Sequence, residues 1–400
     1  MRARAGEPSA LLGALVAAVL PTPDETSLAR ACLATGDAGR QAWAVCQERF
    51  GDLIRVFRED SRGLKRWAPL LQDALRRHEV VPPPALATVL RAAAFQEELR
   101  TREYQRIVRE VLSRLQAAEV PVLVLKGPAL AERVYPRPAL RHSHDLELLV
   151  RQPHDLDRVV NLLVPLGARP MPPTWPAPAD AVLLQHATGL PIGLCTRLFR
   201  TPHYHIPTEA LWARRSAATL AGVPAQALAP DDTLLHILGH AASSPARASL
   251  QWVADAWFLL HRHPDLDWGR LVRTAREGRL GLTLAAMLPY LAGELGASIP
   301  GEVLTRVRRA GEAAPRIERD ALLAGVRAPG DGGLRRLFRA ASPRERLGLL
   351  FWLLGPSPEY LRQVYGPRLA ALLPLLYAYR PIAYAARLLG RGRFRPLRRS

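Results

Sequence analysis

The sequence predicts an α+β protein that is mostly α, with a small mixed sheet in the middle flanked by helical N- and C-terminal regions. Three observations carry this. Apolar residues recur at three- and four-residue spacing from residue 10 to residue 118. At Val120 the pattern shifts to short Val and Leu runs punctuated by Gly, Pro and Asp. After Pro202 the helical spacing returns and persists.

Taken in order, LIRVFRED, LKRWAPLLQDALRRH and LATVLRAAAFQEELRTREYQRIVREVLSRLQAA read as helices, the last one long and ended by Glu119-Val120-Pro121. Val122 to Leu125 is a run short enough for a buried strand, and Pro128 to Tyr135 a helix with Pro in its first turn. Asp145 to Val150 is a second strand, and Pro153 to Leu166 a helix with Gly167 as its C-cap. A Pro-rich loop (Met171 to Ala179) leads to two strand-like runs, Val182 to His186 and Ile192 to Phe199, joined as a hairpin by ATGLP. The sheet therefore has about four or five strands. Asp231 or Asp232 caps the helix LLHILGHAA, and helices continue through WVADAWFLLHR and beyond. Gly325 to Gly333 reads as a connector, followed by apolar runs with Arg-rich ends.

Composition narrows the classes. With 23% charged and 48% hydrophobic residues, the chain can bury a substantial core. Its formal charge is +19, but only two of its 55 basic residues are lysines, Lys65 and Lys126. So strong an arginine bias weakens the inference from charge to nucleic acid, although it favours anionic partners. It also singles out Lys126, a compact point charge written where this chain otherwise writes Arg. Cys32, Cys46 and Cys195 form neither a CxxC motif nor a disulfide framework, which fits a reducing compartment. Residues 10 to 20 have the length of a signal-peptide core, yet Glu7, Pro8 and Ser9 interrupt the basic stretch and suit a helix start. A cytoplasmic location is expected. No apolar run reaches the roughly 18 to 20 residues of a membrane span.

The chemistry concentrates in residues 121 to 150, PVLVLKGPALAERVYPRPALRHSHDLELLV. Asp145 and Glu147 stand two apart in an apolar strand, so their side chains share a face. Two carboxylates so placed repel each other and cost desolvation energy, which a divalent cation relieves. The Lys126-Gly127 turn opens a helix, and a Gly-permitted close approach of backbone with a nearby ammonium favours phosphate. The spacing alone equally describes an edge strand with one wet face and a plain turn. His142 with His144, His203 with His205, and His236 with His240 lack a third nearby ligand or the HExxH glutamate and read as packing or surface residues.

These residues resemble the uncharacterised nucleotidyltransferase family of the polymerase-beta-like superfamily. EVPVLVLKGPAL and RHSHDLELLV look like the family's two core motifs. LAPDDTLLHILGHAA and SLQWVADAWFLLHRHPDLDWGRLVRTAREGRL look like its helical motifs, so the likeness covers most of residues 50 to 300. It implies a nucleotidyltransferase-like core at 119–207, which the pattern along the chain sets between helical regions at 1–118 and 208–325, with an Arg-rich helical region at 326–400. It implies Mg2+, with Mn2+ as the alternative ion, held by Asp145 and Glu147. Lys126 and Gly127 would lie by the phosphates of an NTP, and Arg141 and Ser143 would contact phosphate or nucleotide. His240 and Asp255 would frame the site. The acceptor is left unidentified.

Two departures bear on activity. Glu147 stands where the family has Asp, and its extra methylene moves the carboxylate. Gly193 and Cys195 stand where the family's second hairpin strand has an acid and a His, and no Asp or Glu occurs from Ala181 through Thr208. The third carboxylate and its service as base are missing, with His186 as a substitute base. Two other readings follow: a catalytically inactive nucleotide-binding or scaffold protein, and a basic module whose tail (Arg391, Arg393, Arg395, Arg398, Arg399) touches RNA or an anionic membrane.

Overall fold

A computed structural model describes residues 7–327 apart from 60–62, 172–180, 200–203 and 244–248, with isolated positions beyond. The Arg-rich terminus, most of the Pro-rich loop and residues 328–333 of the connector lie outside the described residues.

The chain opens with helices α1 (Glu7–Val19), α2 (Pro23–Leu33), α3 (Gly36–Phe50), α4 (Leu53–Arg58), α5 (Ala68–Arg77) and the 34-residue α6 (Pro84–Ala117). Local chemistry sets their starts. Thr22 and Glu25 form a capping box on α2, and Asp52 accepts the Ile54 and Arg55 amides at the head of α4. The apolar run at 10 to 20 is α1, with Leu15 and Val19 sunk in the core at 1% and 0% exposure.

Then follow β1 (Val122–Leu125), α7 (Gly127–Arg133), β2 (Leu146–Val150), α8 (Pro153–Leu163), β3 (Arg169–Met171), β4 (Ala181–Gln185), β5 (Pro191–Cys195), α9 (Thr208–Arg214), β6 (Ser216–Leu220) and β7 (Val223–Ala227). Helices α10 (Pro230–Ser243), α11 (Gln251–Arg262), α12 (Trp268–Glu277), α13 (Gly281–Leu295), α14 (Gly301–Glu312) and α15 (Arg316–Arg327) complete the described chain. The fold is α+β and mostly helical, around one mixed sheet of seven strands ordered β3-β4-β5-β2-β1-β7-β6. Strand β2 runs antiparallel to β1 and parallel to β5, and β1 runs parallel to β7. No described helix is long and apolar enough to cross a membrane.

The sheet is larger than the four or five strands expected, and it crosses the boundary placed at 207/208. The β6–β7 hairpin was hidden because SAATL and VPAQA are rich in Ala, a helix former. Its turn is Ala221-Gly222 rather than Asn-Gly, with both residues at positive φ (+50° and +80°). The strain at Ala221 is offset from two sides. Its amide donates to Glu132 at 2.8 Å and its carbonyl accepts from Arg109 at 2.8 Å. Other bounds shift slightly. Strand β2 begins at Leu146, with Asp145 just before it, and β5 ends at Cys195 rather than Phe199. The helix from Pro153 gives way at Val164 to a 3-10 turn, closed by Gly167 at φ +83°.

Alternation divides the sheet between two cores. Val122, Val124, Leu146, Leu148, Ile192 and Leu194 pack with the second half of α6 and with α8. Leu123, Leu125 and Leu149 join the larger helical core on the opposite face. Glu147 lies between Leu146 and Leu148 and so points to this second face, toward α10 and α11.

Candidate active site

Leu125, the last residue of β1, pairs with Glu147, and Glu147 pairs on its other side with Gly193 of β5. The chain leaves β1 through Lys126, at φ +34° and ψ −114°, a conformation that favours glycine. From there the Lys126 Nζ lies 2.9 Å from Glu147 Oε2, with side chains 13% and 20% exposed. At this separation the gross attraction is about 6 kcal/mol for an effective dielectric near 20, offset by desolvation of both groups. Burial by itself would push the Glu147 carboxyl up. The Lys126 ammonium, then His240 and His236, outweigh it and hold the group well below the usual carboxylate range.

Asp145 is half-buried, and its carbonyl accepts the Tyr104 hydroxyl of α6 at 2.8 Å. Burial, then the Asp145 charge, push that phenol up, so it remains a donor. Gly127 lies against the same contact. A Cβ there would stand 2.6 Å from Tyr104 Oη and 3.1 Å from the Asp145 carbonyl. The glycine at this turn thus meets a packing requirement between α6, α7 and the head of β2.

Arg141 and Ser143 lie together in the loop before β2, both buried. Arg141 grips Asp255 of α11 with two bonds of 2.8 Å and donates to Ser143 Oγ at 3.2 Å. Burial would lower the guanidinium pKa, and Asp255 more than reverses this. Tyr135 donates to the same carboxylate at 2.7 Å, and Gln251 donates to Tyr135 at 3.0 Å. The named polar groups of Arg141, Ser143 and Asp255 are therefore engaged with one another, and they tie the loop carrying Asp145 to the helical half.

Helix α10 brings two residues that spacing alone left as packing. His236 is 2% exposed, and burial, then Lys126, hold it neutral. Its Nδ1 has no hydrogen-bond partner among the described residues. His240 lies one turn on, ring centroids 6.2 Å apart. Their joint influence on Glu147 puts this helix face at the site; the four-residue spacing in LLHILGH pointed to one shared face, and the resemblance had set His240 beside the site. His186, considered as a substitute base, instead closes the β4–β5 turn. Its Nδ1 is 2.9 Å from Thr188 Oγ1 and 3.3 Å from the Thr188 amide. His142 pairs with Glu97 at 2.9 Å, and the His205 amide donates to the Gly278 carbonyl, while His203 lies outside the described residues.

Among the described residues no group of three or more His, Cys, Asp or Glu side chains is arranged to hold a metal ion. The two carboxylates, with a lysine on one and Gly193 beside it, make a thin donor set for a resident ion. An ion held there would need to bring further ligands of its own.

A mixed sheet with an acid-bearing strand head beside a lysine turn agrees with a nucleotidyltransferase-like core. Residues 64–295 match the model of the family described as uncharacterised nucleotidyltransferase. The match takes in more than half of the chain, all seven strands included, and the chain belongs to this family. No curated protein matches it.

Proposed function

We propose that the protein is a magnesium-dependent nucleotidyltransferase that moves a nucleoside monophosphate from an NTP to an acceptor. The supporting observation is Glu147, kept ionised in a largely buried position beside Lys126 and two residues from Asp145. Asp145 and Glu147 would hold the ion, whose chemistry is to neutralise charge on the triphosphate and the departing pyrophosphate. Lys126 supplies a positive charge at the phosphates. Arg141, Ser143 and Asp255 keep the acidic segment in place. The acceptor oxygen attacks the α-phosphorus, the bond to the β-bridging oxygen breaks, and the acceptor's proton, where it has one, leaves to solvent or a base.

The test is transfer of label from each α-labelled NTP, with Mg2+ or Mn2+, to components of cell extract. Asp145→Asn and Glu147→Gln should each lower transfer by a factor of about 100 or more. Transfer by Asp145→Asn at the wild-type rate would sink the assignment. Gly193 beside Glu147, where a third acid would stand, favours one alternative: a nucleotide-binding protein without catalysis. Stabilisation by NTPs in a thermal-shift assay, without transfer to any acceptor, would identify it.

A further inference from the structure

The Lys126–Glu147 pair is held from several directions. Residue 126 occupies strained backbone, at φ +34°, which persists only where the surroundings fix it. Gly127 is locked behind it by Tyr104 and the Asp145 carbonyl. On the far flank of Glu147, β5 presents a glycine, so its side chains do not compete for the carboxylate. The α10 residues that influence Glu147, His236 and His240, offer no negative charge to the ammonium. The residue is moreover one of two lysines among 55 basic residues. An ammonium on a flexible stem can change partners, whereas a guanidinium fork tends to stay with a carboxylate.

Resting on the nucleotidyltransferase reading, we propose that Lys126 is the resident counter-ion of Glu147. A divalent cation then gains this carboxylate only together with a triphosphate, whose oxygens give the displaced ammonium a new partner. The reason is charge. A dication on Glu147 with Lys126 still in place would share one carboxylate with the ammonium, and the repulsion between the two cations, in a site largely withdrawn from water, offsets much of the attraction of each for Glu147. The ammonium has to move, and out of water it moves only to another anion. Metal and nucleotide therefore bind with positive coupling, and by linkage each raises the affinity of the other by the same factor.

The experiment is Mn2+ binding to the full chain, read from the electron paramagnetic resonance of the free ion, with and without the non-hydrolysable analogue AMPCPP. Wild type should bind Mn2+ at least tenfold more tightly with the analogue, over and above binding by the analogue itself. Lys126→Gln should bind Mn2+ alone at least tenfold more tightly than wild type and lose most of the coupling. Lys126→Arg keeps the charge but grips the carboxylate more firmly, so it should bind Mn2+ alone no better than wild type and gain less than wild type from the analogue, which separates charge from any loss of fold. If Lys126→Gln binds Mn2+ alone no better than wild type, while Mn2+ and the analogue still bind together, this proposal fails and the transferase reading stands. The proposal also fails if Lys126→Arg admits Mn2+ as readily as Lys126→Gln. If no form binds Mn2+ with the α,β-methylene analogue of any of the four nucleoside triphosphates, both fall together.

Discussion

Cutting the Arg141–Asp255 pair on one side or the other should have unequal consequences. The two side chains are 7% and 5% exposed and joined by two bonds of 2.8 Å. Removing one partner of such a pair costs about 3–5 kcal/mol, because the other charge stays buried. A guanidinium cannot shed its proton, so Asp255→Leu should carry that full cost at every pH. In Arg141→Met the abandoned carboxylate can take up a proton. Its cost should then shrink by up to about 1.4 kcal/mol for each unit the pH is lowered between 7 and 5. The double variant Arg141→Met/Asp255→Leu leaves no stranded charge and should cost less than Asp255→Leu alone, by about 1 kcal/mol or more. Urea unfolding followed by the fluorescence of the eight tryptophans measures all four proteins at both pH values. The reasoning is refuted if Asp255→Leu costs under about 1 kcal/mol, or if the two single losses simply add up to that of the double.

Two further outcomes follow from other contacts. Glu318 of α15 accepts the buried Leu282 amide at 2.7 Å; burial, only partly opposed by that bond and Arg279, pushes its carboxyl up to about 7. The folded state then binds more protons than the unfolded one between about pH 4.5 and 7, so stability falls as pH rises through that window and levels off above it. Glu318→Gln should remove this component, on the order of 3 kcal/mol, and parallel wild-type and variant stability profiles would contradict it. Gly127→Ala puts a Cβ 2.6 Å from Tyr104 Oη and should destabilise by about 1–3 kcal/mol. Tyr104→Phe removes the opposing oxygen, so in a double-mutant cycle the pair should lose less than the sum; strict additivity would place the strain elsewhere.

The elements around the site could be read from sequence where composition and punctuation agreed. Val122 to Leu125 is a Val/Leu run ended by Lys-Gly-Pro, and Pro153 opens α8 with Gly167 after it, so strand and helix were distinct there. Strands β6 and β7 escaped because their alanines carry no strand preference and the Ala221-Gly222 turn depends on Glu132 and Arg109, which come from earlier helices. Asp145 and Glu147 were visible as a period-two pair. Their surroundings were not, because register is a property of pairing. Nothing in the sequence says that Glu147 meets Leu125 and Gly193, or that Lys126 turns back onto it. Arg141 and Asp255 are 114 residues apart, and no local pattern links them.

Helix α6 buries Leu86 and Leu90 in the helical core and Tyr104, Ile107, Val108, Val111, Leu112 and Leu115 beneath the sheet. It is thus a common rafter under two roofs. A fragment trimmed to begin at β1 would bare one side of the sheet, and one trimmed to end with α6 would leave half that helix without a companion. Any shortened version meant to stand alone has to keep this rafter whole.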